Sequence, residues 1–93
     1  MRTSEFIDKD VFAMDEKIGK VKGIEVDPVE WKITHLEIEL EKDIAESVLG
    51  AKKRGVRNMM DVAAMEKVAA WSETGLHLKV PKDQLHMYLR PVP

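Results

Sequence analysis

The feature that most constrains the fold of this chain is a strict alternation over residues 34–41. Thr34, Leu36, Ile38 and Leu40 alternate with His35, Glu37, Glu39 and Glu41. Successive side chains of a β-strand point to opposite faces, so the pattern predicts a strand with one face in a core and an acidic, hydrated outer face. A chain built around such a strand must bury one side of a sheet.

A second strand is predicted just before it, over residues 18–26. Lysines flank Val21, and beyond Gly23 the apolar residues change parity, to Ile24 and Val26. A one-residue slip beside a glycine is typical of a β-bulge, and bulges help a small sheet to coil. Between the two strands, residues 27–30 are predicted to form a turn, because proline presets φ and aspartate accepts a local backbone hydrogen bond.

The rest of the first half predicts a strand over residues 11–14, followed by a polar turn over residues 15–17. A short helix is expected from residue 43, begun by a capping box of Asp43 and Glu46 and ended by Gly50. Each signal is local, and together they favour a mainly β domain with a short helical insertion.

Residues 59–71 fit two interpretations. They form either a buried helix, or a helical turn near residues 61–65 followed by a strand over residues 67–71. The second interpretation is more economical, because the strand forms a hairpin with a confident strand over residues 76–80. A last strand is predicted over residues 86–90, and the Pro91 to Pro93 tail is expected not to continue the sheet.

The composition excludes several classes of protein. The 93 residues suit one domain, and the absence of cysteine excludes disulfides, thiolate catalysis and cysteine-bound zinc. We expect a soluble cytoplasmic domain, because no signal-peptide pattern is present and no apolar run approaches the roughly 20 residues of a spanning helix. The net charge is −2, so no broad basic face is expected. The basic cluster consists of Lys52, Lys53, Arg54 and Arg57, and it predicts a solvated loop rather than a nucleic-acid site.

No group of residues predicts catalysis, a cofactor or a metal site. His35, His77 and His86 are placed on the polar sides of predicted strands, without the spacing of a metal-binding motif. The glutamates of residues 37–41 form a hydrated stripe rather than a carboxyl pair in a cleft. A metal or small-ligand sensor using His35 and His77 is a weaker alternative.

Aromatic residues and methionines suggest a contact surface in the second half. Trp31 and Trp71 are predicted to cap the ends of the core, with the alternative that one of them anchors an interface. Residues 85–91 are unusually apolar for a segment near a chain end, so we expect them to dock on the domain or on a partner. The candidate interface residues are Met59, Met60, Trp71, Leu85, Met87, Tyr88, Leu89 and Arg90.

The stretches DVFAM at residues 10–14, IGKVKGIEVDP at 18–28 and WKITHL at 31–36 resemble the PRC-barrel family. Residues 62–80 and 84–91, which include QLHMYLRP, resemble its archaeal single-domain branch. The chain departs from the family pattern in its first turn, which lacks glycine, and in the helical insertion at residues 43–50.

The resemblance implies a strongly bent β-barrel of about five to six strands that acts as a protein-binding adaptor. Relatives include the photosynthetic reaction-centre H-subunit domain and RimM, an RNA-processing factor that binds a ribosomal protein. Archaeal members resemble division adaptors that associate with SepF, the membrane anchor of FtsZ, often as homodimers or heterodimers of PRC-barrels. We therefore expect a non-enzymatic dimeric adaptor, recruited to the division site through its partner. A ribosome-maturation adaptor like RimM is the alternative, without direct nucleic-acid contact.

Overall fold

The structure is a computed structural model that describes residues 5–52 and 55–91. The chain is mainly β, and its strands form one sheet in the order β5-β6-β1-β2-β3-β4-β7. The elements are β1 (Asp10–Ala13), β2 (Glu16–Asp27), β3 (Lys32–Leu40), α1 (Lys42–Leu49), β4 (Arg57–Asp61), α2 (Val62–Met65), β5 (Ala69–Ser72), β6 (Gly75–Leu78), a 3₁₀ helix (Lys82–Met87) and β7 (Leu89–Pro91).

The sheet has seven strands, one more than the upper expectation. The additional strand is β4, which pairs with β3 and brings Met60 opposite Leu36. Within the described residues no ladder joins β5 to β7, so the expected barrel is an open, curved sheet. The consequence is that β5 and β7 both lie at sheet edges.

The long β2–β3 hairpin is bent where the sequence predicted a bulge. Val21 pairs with Ile38, and Gly23 pairs with the adjacent Glu37, so β2 has one extra residue at this point. Two further register shifts occur, one between Glu25 and Val26 and one between β1 and β2. Each bulge increases the local twist, which lets the strands curl around one core.

The first turn lies one residue earlier than predicted. Met14 and Asp15 have φ values of 48° and 70°, as in the two-residue type I′ turns of tight hairpins. Glu16 and Lys17, which were predicted to lie in the turn, begin β2 instead. The turn is tighter than expected because two non-glycine residues adopt the left-handed conformation.

The second turn follows the prediction. The carboxylate of Asp27 accepts hydrogen bonds from the amides of Val29 (2.8 Å) and Glu30 (3.3 Å). Trp31 closes the turn with a φ of 56°, and its amide donates to the Asp27 carbonyl (2.7 Å). The aspartate therefore fixes this turn through both its side chain and its backbone.

Helix α1 ends as predicted but begins differently. Gly50 is left-handed, with a φ of 70°, and its amide donates to the carbonyl of Glu46 (3.0 Å). The N-cap is Glu41, and none of the described side chains caps the helix, so the predicted capping box of Asp43 and Glu46 is wrong. The helix is held instead by burial of Ile44 and Ala45 in the core, where the 3₁₀ helix is its main neighbour.

As far as residue 81, the second half agrees with the predicted helical turn followed by a β-hairpin. The helical turn is α2, and β5 and β6 form the expected hairpin, with Trp71 opposite Leu76. The last strand, predicted over residues 86–90, is confirmed for residues 89 and 90, which lie in β7, but is wrong at its start, because Lys82–Met87 is a 3₁₀ helix. Pro91 lies within β7, contrary to the expectation for the tail, and β7 is an edge strand, where proline is tolerated.

The core takes alternate residues of the strands, as the burial along β1 and β4 shows. Strand β1 connects the first and second halves of the chain within the sheet, because it pairs antiparallel with β2 and parallel with β6. Gly75 packs against the backbone of Asp10 with a φ of 137°, where a Cβ atom has no room. Among the described residues no helix is long and apolar enough to cross a membrane. The fully buried large side chains are Ile18, Ile38, Met60, Leu76, Leu78, Leu85, Val11 and Val21.

Candidate protein-binding groove

An apolar groove of about 690 Å³ opens beside β3, α2 and the β5–β6 hairpin. Its buried apolar lining comes from Leu36, Met60, Met65 and Leu76. Its half-buried apolar lining comes from Phe6, Ile33, Val62, Ala69 and Trp71. The groove reaches the core of the domain, so a side chain entering it would contact residues that already form a packed cluster.

The α2 side of the groove is shaped by the start of the helix. Asp61, the last residue of β4, caps α2 by accepting a hydrogen bond from the amide of Ala63 (2.9 Å). The cap satisfies a backbone amide at the start of the helix. Within α2, Met65 is buried and Ala63 is exposed, and both residues line the groove.

The opposite side is built around Trp71, which packs edge-on against Phe6 with ring centroids 4.7 Å apart. The segment that carries Phe6 is fixed to β2, because the amide of Asp8 donates to the carbonyl of Val21 (2.7 Å). The ammonium of Lys22 also bonds the carboxylate of Asp8 (2.6 Å), which lowers the pKa of Asp8 and raises that of Lys22. The aromatic wall is therefore tied to the sheet by backbone and side-chain contacts.

Ion pairs neutralise some of the charged residues at the rim of the groove but not others. Lys32 forms an ion pair with Glu30 (2.7 Å), and His35 lies near the carboxylate of Glu25 (3.4 Å). Asp61 and Glu66 also line the groove, and no ion pair is formed by either within residues 5–52 and 55–91. The α2 side of the rim is therefore acidic.

The two tryptophans differ in position. Trp71 packs partly against the core, in agreement with the core-capping prediction. It also lines the groove. Trp31 is 83% exposed, so the prediction that it caps the core is wrong. The left-handed backbone of Trp31 at the end of the β2–β3 turn holds its ring away from the sheet.

Three of the predicted interface residues face inward. Met60, Leu85 and Leu89 are at most 7% exposed and belong to the core, so none of them forms part of an exposed contact surface. Met60 lies at the base of the groove, whereas Leu85 and Leu89 are not in its lining. Strand β4 directs Met60 inward, and the 3₁₀ helix places Leu85 in the core.

The remaining predicted interface residues are at least partly accessible. Met59, Trp71 and Tyr88 are half-buried, whereas Met87 and Arg90 are exposed. Of all the predicted interface residues, the groove contains only Met60 and Trp71. The C-terminal segment therefore lies outside the groove lining.

One residue of the basic cluster, Arg57, pairs with the hydrated stripe of glutamates at residues 37–41. Arg57 lies 3.0 Å from a carboxylate oxygen of Glu37 and 3.7 Å from one of Glu39. Lys52 is exposed, and Lys53 and Arg54 lie outside the described residues. Arg57 is therefore paired with glutamates on the sheet surface.

The histidines lie in three different environments. His35 lines the groove, and its Nδ1 lies 3.0 Å from the Thr34 hydroxyl. His77 stacks on Phe12, with ring centroids 4.7 Å apart. His86 belongs to the 3₁₀ helix, so its prediction on a strand is wrong. In the described part of the chain, no three His, Cys, Asp or Glu side chains are grouped to hold a metal ion.

Sequence reasoning did not identify Phe6, Ile33, Val62 or Met65 as site residues. They come from three separate segments, since Val62 and Met65 both lie in α2, and only the fold brings these segments together. The one local signal was the mixture of methionine and small apolar residues around α2, which indicated burial but not an open groove.

The PRC-barrel domain family model matches residues 1–58. No curated protein matches the chain. The matched range contains β1, β2, β3 and α1 and reaches the first residues of β4. The α2 and β5–β6 sides of the groove therefore lie beyond the matched range.

Proposed function

The chain belongs to the PRC-barrel domain family, and on that premise we propose that it is a non-enzymatic adaptor that binds another protein through the groove. The observation that carries the proposal is the open apolar groove with Trp71 and Phe6 at one side. Tryptophan is among the residues that contribute most to protein interfaces, and a groove lets its partner exclude water.

The groove also has the composition expected of a contact site. Its centre is apolar and its charges are confined to the rim, which is the usual arrangement of a protein interface. A rigid apolar centre supplies affinity, and the rim charges select the partner and its orientation.

The more specific form of the proposal follows the resemblance of residues 62–80 and 84–91 to archaeal single-domain members. In that form the partner is a SepF-like division protein, and the adaptor acts as a dimer near the membrane. A dimer presents two grooves, and avidity can raise affinity by about 100-fold or more. The alternative is a RimM-like adaptor that binds a ribosomal protein; the pairing of Arg57 with Glu37 and Glu39 argues against direct RNA contact in that role.

The test is quantitative binding to purified SepF by wild-type protein and by two glutamine variants, with light scattering to give the oligomeric state. Ala63→Gln places a larger neutral side chain beside the groove. Ala70→Gln makes the same change at an exposed alanine outside the groove lining. We expect Ala63→Gln to weaken binding at least tenfold and Ala70→Gln to leave it within about twofold.

Two results would count against the proposal at different levels. A monomer that does not bind SepF refutes the division-specific form. For the general form, a crosslinking pull-down from the native cell identifies the partner, whose binding is then measured with the same variants. Equal binding by wild type and Ala63→Gln refutes the groove as the adaptor site.

A further inference from the structure

We infer that the groove binds an extended segment of its partner as an additional strand on the free edge of β5. One apolar side chain of that segment enters the groove, and flanking Lys or Arg side chains meet Asp61 and Glu66. This inference rests on the proposed function and specifies the chemistry of the partner.

The first step is the direction of the backbone groups of β5. The amide of Lys79 donates to the carbonyl of Val68 (2.8 Å), so these two residues form a hydrogen-bonded pair. Bonded and non-bonded pairs alternate along an antiparallel ladder. Ala69 and Trp71, which face Leu78 and Leu76, are therefore in non-bonded positions.

The backbone groups of Ala69 and Trp71 consequently point away from β6, toward the sheet edge. The other side of the ladder agrees, because the carbonyl of Leu78 accepts from Met14 (3.0 Å) on the β1 side rather than from β5. In the described part of the chain, no hydrogen bond to the outward groups of Ala69 or Trp71 is found. Two amides and two carbonyls are available to a further strand.

The second step is the direction of the side chains. Ala69 and Trp71 are half-buried and line the groove, whereas Ala70 and Ser72 are exposed. A strand added to β5 lies about 4.8 Å away and has the same alternation of faces, so its inward side chains enter the groove. The residues that offer backbone hydrogen bonds are thus the same residues that form the apolar wall, which is the arrangement used by strand-addition sites.

The third step is charge. Lys32 is neutralised by Glu30, whereas no ion pair is formed by Asp61 or Glu66 within the described ranges. A partner segment with Lys or Arg beside its apolar anchor is complementary to this rim. A second copy of the chain is less suitable, because pairing β5 with β5 would bring a second acidic rim to the same edge.

The experiment uses a random twelve-residue peptide library displayed on phage and selected on the full-length protein. Enriched sequences are synthesised with a fluorescent label, and affinity is measured by anisotropy. We expect a large apolar residue flanked by Lys or Arg. We also expect N-methylation of successive peptide amides to weaken binding by about tenfold at every second position, since alternate amides bond the edge.

Protein variants test the same geometry from the other side. Ala69→Pro removes one outward amide without removing a β5–β6 hydrogen bond, and Ala69→Val retains that amide with a side chain of similar size. We expect about a tenfold loss for the proline variant, with the valine variant binding more tightly than it. Glu66→Gln should weaken binding about threefold and reduce its dependence on salt, whereas Glu73→Gln, outside the groove lining, should not.

The outcomes separate this inference from the proposed function. Peptides that depend on Ala63 but show no two-residue period in the N-methyl scan leave the groove as the binding site and overturn strand addition. Peptides that ignore Ala63→Gln count against both. If no peptide is enriched, or if Ala69→Pro converts a dimer to a monomer, the extended partner segment is overturned, in the latter case in favour of a second copy.

Discussion

Replacing Leu85 by alanine is predicted to destabilise the domain strongly, although sequence reasoning placed this residue on a binding surface. Leu85 is 0% exposed and packs within the central cluster from the 3₁₀ helix. Met87, two residues later on the same helix, is 58% exposed. The two residues therefore form a matched pair, one in the core and one on the surface.

The magnitude follows from the burial of each side chain. Removing a fully buried leucine costs about 2–5 kcal/mol, because apolar contacts are lost and a cavity remains. For a domain of this size, about 3 kcal/mol lowers Tm by roughly 12–24 °C. Met87→Ala removes a side chain that is mostly in water, so its effect should stay within about 0.5 kcal/mol.

The assay is urea unfolding followed by circular dichroism, together with thermal melts of wild type, Leu85→Ala and Met87→Ala. Each protein is measured at two concentrations, because the proposed dimer would make apparent stability depend on concentration. The urea m-value should be unchanged, so that a lower midpoint reports lower stability. A loss below about 1 kcal/mol for Leu85→Ala, or an equal loss for Met87→Ala, would refute the placement of the 3₁₀ helix.

Two further predictions concern the first turn and the N-terminal ion pair. Asp15→Gly should stabilise the protein by about 0.5–1 kcal/mol in urea unfolding, because Asp15 holds a φ of 70° that glycine adopts without steric cost; lower stability would contradict the type I′ turn. The ammonium of Lys22 lowers the pKa of Asp8 from its ordinary value of 3.8, so the ion pair stabilises the fold above that value and the effect is lost as pH falls through the lowered pKa. Asp8→Asn should therefore lose less stability than wild type between about pH 5 and pH 2, and about 0.5 M salt should reduce the difference; identical pH profiles would count against the ion pair.

The parts of the fold that were predictable from sequence depend on short-range patterns. The alternation in β3, the glycine at the β2 bulge and Gly50 after α1 act over a few residues, and the structure confirms each of them. The family resemblance was carried by the same segments and is confirmed over residues 1–58.

The errors occurred where one local pattern allowed two structures. His86 to Arg90 alternate like a strand, yet the strand begins only at Leu89, because Lys82–Met87 forms a 3₁₀ helix that buries Leu85. Trp31 was predicted to cap an end of the core, but the backbone of its turn holds it outside.

The groove could not be predicted from spacing at all. Phe6, Ile33, Met65 and Trp71 are separated by most of the sequence, and only the sheet order brings them together. The free edge of β5 is likewise a property of the whole sheet, since it depends on which strand occupies each neighbouring position.

The parallel pairing of β1 with β6 has a consequence for how the chain folds. Residue 10 contacts residue 75, so a large loop must close before β1 gains its second neighbour. Chain emerging from the ribosome can form the β1–β2–β3 meander early, but one side of β1 stays unpaired until β6 has been synthesised. The family-matched portion alone would leave this side open. Completion of the fold, and protection of the nascent chain from aggregation, therefore await the β5–β6 hairpin, which also supplies a wall of the groove.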